Sequence, residues 1–243
     1  MEVKIMLYVL CGFLFGCLIP CFARRLGKLI SYPAGYVWLK IFVPFHALSF
    51  VKLKENPQYM HLFYRYLMRS LGWGIFCAAV TWLFIECFDN LYTVWYLAFL
   101  WIMLLLVEVD KRFMLLPDVL TLPLLILGFG YAAIGGNWLI TSEPEIMSAS
   151  FNSFLGAVFG YVMPTFASMF IVWKYPDAFG GGDIKLLAAI GAWVGFEATS
   201  YIILLSCVIF AVQCLIAKQK DGAFGPAIVY ATIITQIFLQ GFE

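Results

Sequence analysis

An all-α membrane helix bundle, polytopic with about eight transmembrane helices, is the fold this sequence predicts, and three observations carry that prediction. Of the 243 residues, 64% are hydrophobic and 12% are charged, against about 25% charged and about 45–50% apolar in soluble domains. Apolar runs of near-spanning length recur along the chain, and a helix needs about 20 such residues to cross a bilayer. Alternation across those runs gathers the basic residues on one side. The aromatic content of 19% suits interfacial Trp and Tyr anchors.

The first span covers residues 5–22. It reads as a retained helix: no small-x-small cleavage site follows, and Arg24, Arg25 and Lys28 form a stop-transfer flank. Further spans cover residues 71–88, 91–109, 119–134 and 151–173. The sixth, residues 184–194, is short, as for a segment that enters partway or shares a polar cavity. The last two cover residues 199–217 and 224–242.

Short loops rich in Lys and Arg stay in the cytoplasm. With the segment between the first two spans inside, Lys111, Arg112, Lys174, Lys185, Lys218 and Lys220 fall inside as well. That gathers 14 of the 15 basic residues on one side, and only Lys4 lies opposite. The outer loops hold Asp89, Glu143, Glu145 and Glu197 and no Lys or Arg. Six or seven spans would scatter the basic residues across both faces.

Two regions follow. Residues 1–70 hold the first span and a basic cytoplasmic or interfacial segment; residues 71–243 form the membrane core. Within the former, residues 36–54 alternate basic and apolar side chains, a pattern suited to the lipid bilayer's anionic inner leaflet. Seven cysteines, odd in number and without a C-x-x-C pair, read as small buried hydrophobes. His46 and His61 lack Cys or acidic partners at metal spacing, so no metal site is expected. A net charge of +1 without a long basic run points to no nucleic-acid partner.

Ionisable groups at membrane depth are costly and mark function. Glu108, Asp110, Asp118 and Asp183 all fall at helix ends on the predicted cytoplasmic side. Asp110 and Asp183 are 73 residues apart, and their shared face comes from the basic residues alone. Two facing carboxylates in a poorly hydrated site cannot both ionise cheaply, so such a pair holds one proton. The charged member then draws a proton from water while the protonated one polarises a peptide carbonyl. Other readings stand beside this one. Asp118 reads foremost as an N-cap. Asp183 reads equally as a cap behind the tight turn Gly180-Gly181-Gly182, and Asp110 equally as an interfacial acid paired with Lys111 or Arg112. Glu108 snorkels or pairs locally, and Asp177 is a turn residue. A phosphate loop is excluded, since GGGDIK lacks the Gly-Lys-Ser/Thr ending and places an acid among its glycines.

The stretches VDKRFMLLPDVLTLPLLILG and GGGDIKLLAAIGAW resemble the two signatures of the type IV prepilin leader peptidases, membrane aspartic proteases of the G-x-G-D type. Asp110 and Pro117-Asp118 match the first signature; Gly180, Gly182, Asp183, Lys185, Leu186 and Leu187 match the second. AFGPAIVYA, from Ala223, resembles the Phe-Gly-Pro segment that opens the family's last helix. The likeness covers residue 107 to the end and fades before that.

The resemblance implies a catalytic pair, Asp110 and Asp183, supported by Gly180, Gly181, Gly182, Lys185 and Asp118. It implies an aspartic endopeptidase of the bacterial inner membrane, multi-pass, with its active site facing the cytoplasm. The enzyme would cut the basic leader from a type IV prepilin or pseudopilin precursor, with no cofactor for proteolysis. Lys185 is expected to tune Asp183 or meet lipid phosphate, and the glycines to form a flexible mount. Many relatives also methylate the new N-terminus with S-adenosylmethionine. The loop assigned to that activity is where this chain departs from the family, with no cysteine between Cys21 and Cys77. A rival from another class is a proton-coupled transporter with Asp110 and Asp183 as relay.

Overall fold

Small residues set how closely the first two helices approach. The computed structural model describes residues 2–29, 36–37, 57–87, 92–136, 146–172, 180–218 and 222–240. The chain divides into two compact units, Met1–Phe88 and Asp89–Glu243. In the first, α1 (Glu2–Leu29) packs on α2 (Pro57–Cys87). A Cβ on Gly16 would sit 2.6 Å from the Trp73 carbonyl oxygen, and one on Gly74 would sit 2.5 Å from Cys17 Sγ. The backbones therefore meet where side chains are missing. Cys21 and Cys77 are buried free thiols in this contact. The helix α2 starts 14 residues ahead of the expected residue 71, and residue 70 falls inside it. Pro57 occupies the first helical position, where its missing N–H costs nothing. The basic residues that hydropathy marks as loop, Arg65 and Arg69, ride on this helical extension.

The second unit holds α3 (Thr93–Phe113), α4 (Asp118–Ala133), α5 (Ile146–Val172), α6 (Gly181–Ala217) and α7 (Gly225–Gln240). The hub is α6, which packs on α4, α5 and α7, while α3 packs on α7. The α5–α6 seam is closest at Gly156, where a Cβ would lie 2.2 Å from the Gly191 carbonyl oxygen. Trp193 of α6 donates its indole N–H to the Leu124 carbonyl at 2.7 Å and stacks on Tyr131.

At 37 residues a straight α6 would run about 55 Å, well beyond a hydrocarbon core of about 30 Å. It breaks at Gly195, with φ 79° and ψ −180°, a region open essentially to glycine alone. Polar side chains take up the backbone groups around the break. Asn152 Oδ1 accepts the Phe196 N–H at 3.0 Å, Ser153 Oγ donates to the Ala192 carbonyl, and Thr199 Oγ1 donates to the Gly195 carbonyl.

The arms fold back. Phe210 on the second arm meets Phe224 with ring centroids 5.2 Å apart. The next residue, Gly225, bonds Asp110, whose charge is felt at Asp183 on the first arm. A straight helix would separate residues 183 and 210 by about 40 Å, more than this chain of side-chain contacts can span.

The described residues thus form seven helices and no strand, where about eight spans are expected. The sixth and seventh expected spans correspond to the arms of one broken element. Four of the helices, α1, α2, α3 and α6, are long and apolar enough to cross a membrane. The interfacial stretch 38–54, His46, Asp89, Glu143, Glu145 and Asp177 lie outside the described residues.

Candidate active site

The last turn of α3 carries Asp110, which is 4% exposed. Met114 closes that helix in the left-handed region (φ 49°), and its N–H bonds the Asp110 carbonyl at 2.8 Å, a common helix ending. The Asp110 carboxylate is not held by its basic neighbours. Lys111 Nζ goes to Tyr230 Oη at 3.0 Å, and Arg112 Nε goes to Glu108 Oε1 at 2.6 Å. What Asp110 Oδ2 accepts instead is the backbone N–H of Gly225, at 2.9 Å. The expected alternative, an interfacial pair with Lys111 or Arg112, is not the arrangement found.

Asp183 stands in the first turn of α6, behind Gly180 as N-cap. Its own N–H bonds the Gly180 carbonyl at 3.1 Å, and its partly exposed carboxylate accepts the Gly180 N–H. This is one half of a capping box, with the acid three residues beyond the cap. The capping reading of Asp183 therefore holds in part, and it leaves the carboxylate close enough to Asp110 for the two to interact electrostatically.

Two of the three glycines serve space. None of them adopts positive φ among the described residues, so the expected flexible mount finds no backbone signature. A Cβ on Gly180 would lie 3.1 Å from Asp183 Oδ2, and one on Gly182 would lie 2.9 Å from Leu116 Cβ. Gly181 faces open space. The short loop after Asp110 thus packs directly on the turn that carries Asp183.

A second tie joins α6 to the start of α4. Lys185 Nζ bonds both oxygens of Asp118, at 2.7 and 2.8 Å. Lys185 therefore pairs with Asp118 and not with Asp183. Asp118 is not the N-cap either: Pro117 holds that position, extended at φ −73° and ψ 133°, without a side-chain cap bond. As the first residue of α4, Asp118 still sits at the positive end of the helix dipole. The residue that sequence reasoning passed over is Gly225. Its signal is the Phe-Gly-Pro stretch, residues 224–226.

A model of the type IV leader peptidase family matches residues 97–215, which include Asp110 and Asp183. Relatives named prepilin leader peptidase/N-methyltransferase match parts of the chain. The one from Xanthomonas campestris pv. campestris is 38% identical over 136 residues, covering 51% of this chain and 42% of the relative. That of Vibrio cholerae is 30% identical over 174 residues, covering 70% and 64%. That of Pseudomonas aeruginosa is 33% identical over 177 residues, covering 61% and 57%. In these matches the chain spans between 42% and 64% of each relative's length. No solved structure matches.

Proposed function

We propose that the chain belongs to the type IV leader peptidase family, whose model matches residues 97–215, and that it is an aspartic endopeptidase that removes the leader from type IV prepilins or pseudopilins. The observation that supports this most is that Asp110, in the last turn of α3, and Asp183, in the first turn of α6, lie close enough for their charges to interact. In this reading the pair shares one proton. The ionised carboxylate takes a proton from water, whose oxygen attacks the carbonyl at the end of the leader. The protonated carboxyl donates to the carbonyl oxygen. Collapse of the tetrahedral species breaks the C–N bond as the amine receives a proton. Neither a metal nor a covalent intermediate is used.

Cleavage belongs at the cytoplasmic face of the bacterial inner membrane, on the strength of the basic residues gathered there. The second half of the relatives' name supports N-methylation of the new N-terminus, for which S-adenosylmethionine would supply the methyl group. The segment to which the resemblance assigns this work falls largely on residues 30–35 and 38–56, outside the described residues. A proton-coupled transporter finds no support in the family match or in the relatives' names.

Co-expression with a prepilin tests the peptidase. The wild-type chain is expected to yield the shortened pilin, while Asp110→Asn and Asp183→Asn each leave the precursor intact at equal membrane abundance. Full processing by either variant would falsify the pairing. The mass of the processed pilin reads out the second activity, an N-terminus one methyl heavier being the expected product.

A further inference from the structure

The Phe-Gly-Pro stretch has no part in the chemistry above, yet it touches Asp110. Gly225 opens α7 and directs its N–H at Asp110 Oδ2, 2.9 Å away across 115 residues of chain. That donor is one of the orphan N–H groups of a helix start, so the bond takes nothing from the helix. The next residue, Pro226, has no N–H to offer. The remaining donors of the turn are already used, since Ala227 and Ile228 bond the Phe224 carbonyl at 2.9 and 3.2 Å. Space points the same way: a Cβ at position 225 would sit 2.6 Å from Asp110 Oδ2 and 3.1 Å from its Cγ.

Two further contacts fix the register of this turn. Phe224 packs edge-on against Phe210, and Tyr230, one turn further along α7, accepts Lys111 Nζ from the residue beside Asp110. Each residue of the motif then has its task. Phe224 anchors the turn on α6, Gly225 opens α7 and supplies a donor with no side chain in the way, and Pro226 follows in the first turn, where an N–H is not needed.

We propose that Gly225 is a positioning residue for the peptidase reaction: its N–H holds the Asp110 carboxylate toward Asp183, and its missing side chain makes that approach possible. The proposal rests on the peptidase reading above. A misplacement of about 1 Å at a reacting group costs about 100-fold in rate, and Gly225→Ala forces a shift of that order.

The test compares Gly225→Ala with Gly222→Ala, a control in the same turn whose added Cβ meets only the Phe210 ring at 3.6 Å. In detergent with purified prepilin, Gly225→Ala is expected to lower kcat by about 100-fold with KM unchanged, and Gly222→Ala to lower neither. Wild-type kcat in Gly225→Ala, or a loss confined to KM, would overturn the proposal. A thermal cycle supplies an independent reading. Gly225→Ala is expected to lower the melting temperature of the wild-type chain but not that of Asp110→Ala, where the obstructing carboxylate is gone. Equal losses in both backgrounds, or failure of the double variant to fold, would overturn the contact. If the wild-type chain cuts no precursor, the peptidase reading falls, and the thermal cycle still decides whether residues 110 and 225 are coupled.

Discussion

Lys185 lies two residues past Asp183, yet its ammonium goes to Asp118, 67 residues away in sequence. Sequence could place Lys185 on the correct face but not choose its partner, because the choice depends on how α4 meets α6. Asp118 escaped its N-cap reading for a related reason: Pro117, already fixed in an extended backbone, took the capping position. Both ends of the pair are exposed, at 44% and 53%, so its worth is about 0–1 kcal/mol. Asp118→Asn is therefore expected to lower thermal stability by no more than about 1 kcal/mol at low salt, and by less at high salt. A larger, salt-insensitive loss would mean that the pair is desolvated in the bilayer. The glycines separate in the same manner. Gly181→Ala has open space and an ordinary backbone and should raise stability by about 0.4–1 kcal/mol by restricting the unfolded chain, while Gly182→Ala presses on Leu116 and should lower it. Thermal unfolding of the two variants side by side checks the ordering.

At the level of elements, hydropathy located the apolar cores of the helices and missed their ends. The early start of α2 shows why. Residues 57–70 carry His61, Arg65 and Arg69, so an apolar window rejects them, while a helix end at the membrane surface accommodates such side chains. The two expected segments 184–194 and 199–217 were legible because Gly195 and Glu197 interrupt the apolar run. Their junction was not, since the Asn152–Ser153 clamp comes from α5. That clamp makes the break testable. Asn152→Ala leaves the Phe196 N–H without its side-chain acceptor, at an expected cost of about 0.5–1.5 kcal/mol. Gly195→Ala should cost about 1–3 kcal/mol from backbone strain alone, and more because its Cβ would sit 2.3 Å from Asn152 Nδ2. Chemical denaturation should rank the wild-type chain above Asn152→Ala and place Gly195→Ala last. A Gly195→Ala chain as stable as wild type would mean that α6 can straighten.

For the whole molecule, the reversal within α6 decides the side of the membrane on which the chain emerges. A single straight crossing would put Lys185 and Lys218 on opposite faces. Two arms folded back at Gly195 would return Lys218 to the face of Lys185, and so to the face of Asp183 at the first arm's start. Alternation of the basic residues requires the same result, and it makes no use of contacts: of the 15 Lys and Arg, 14 fall on one side only when residues 184–194 and 199–217 count as separate crossings. Contact geometry and charge bias therefore converge from unrelated physics, the one from side-chain reach and the other from the positive-inside rule. Reporter fusions discriminate between the two paths. A fluorescent protein fused after Lys218 is expected to fluoresce in the cytoplasm, and alkaline phosphatase at the same point to be inactive. The same reporters after Gly136, at the far end of α4, should behave in the opposite way. Active phosphatase after Lys218 would make α6 a single crossing and put Gly225 on the face opposite Asp110, against the 2.9 Å hydrogen bond between them.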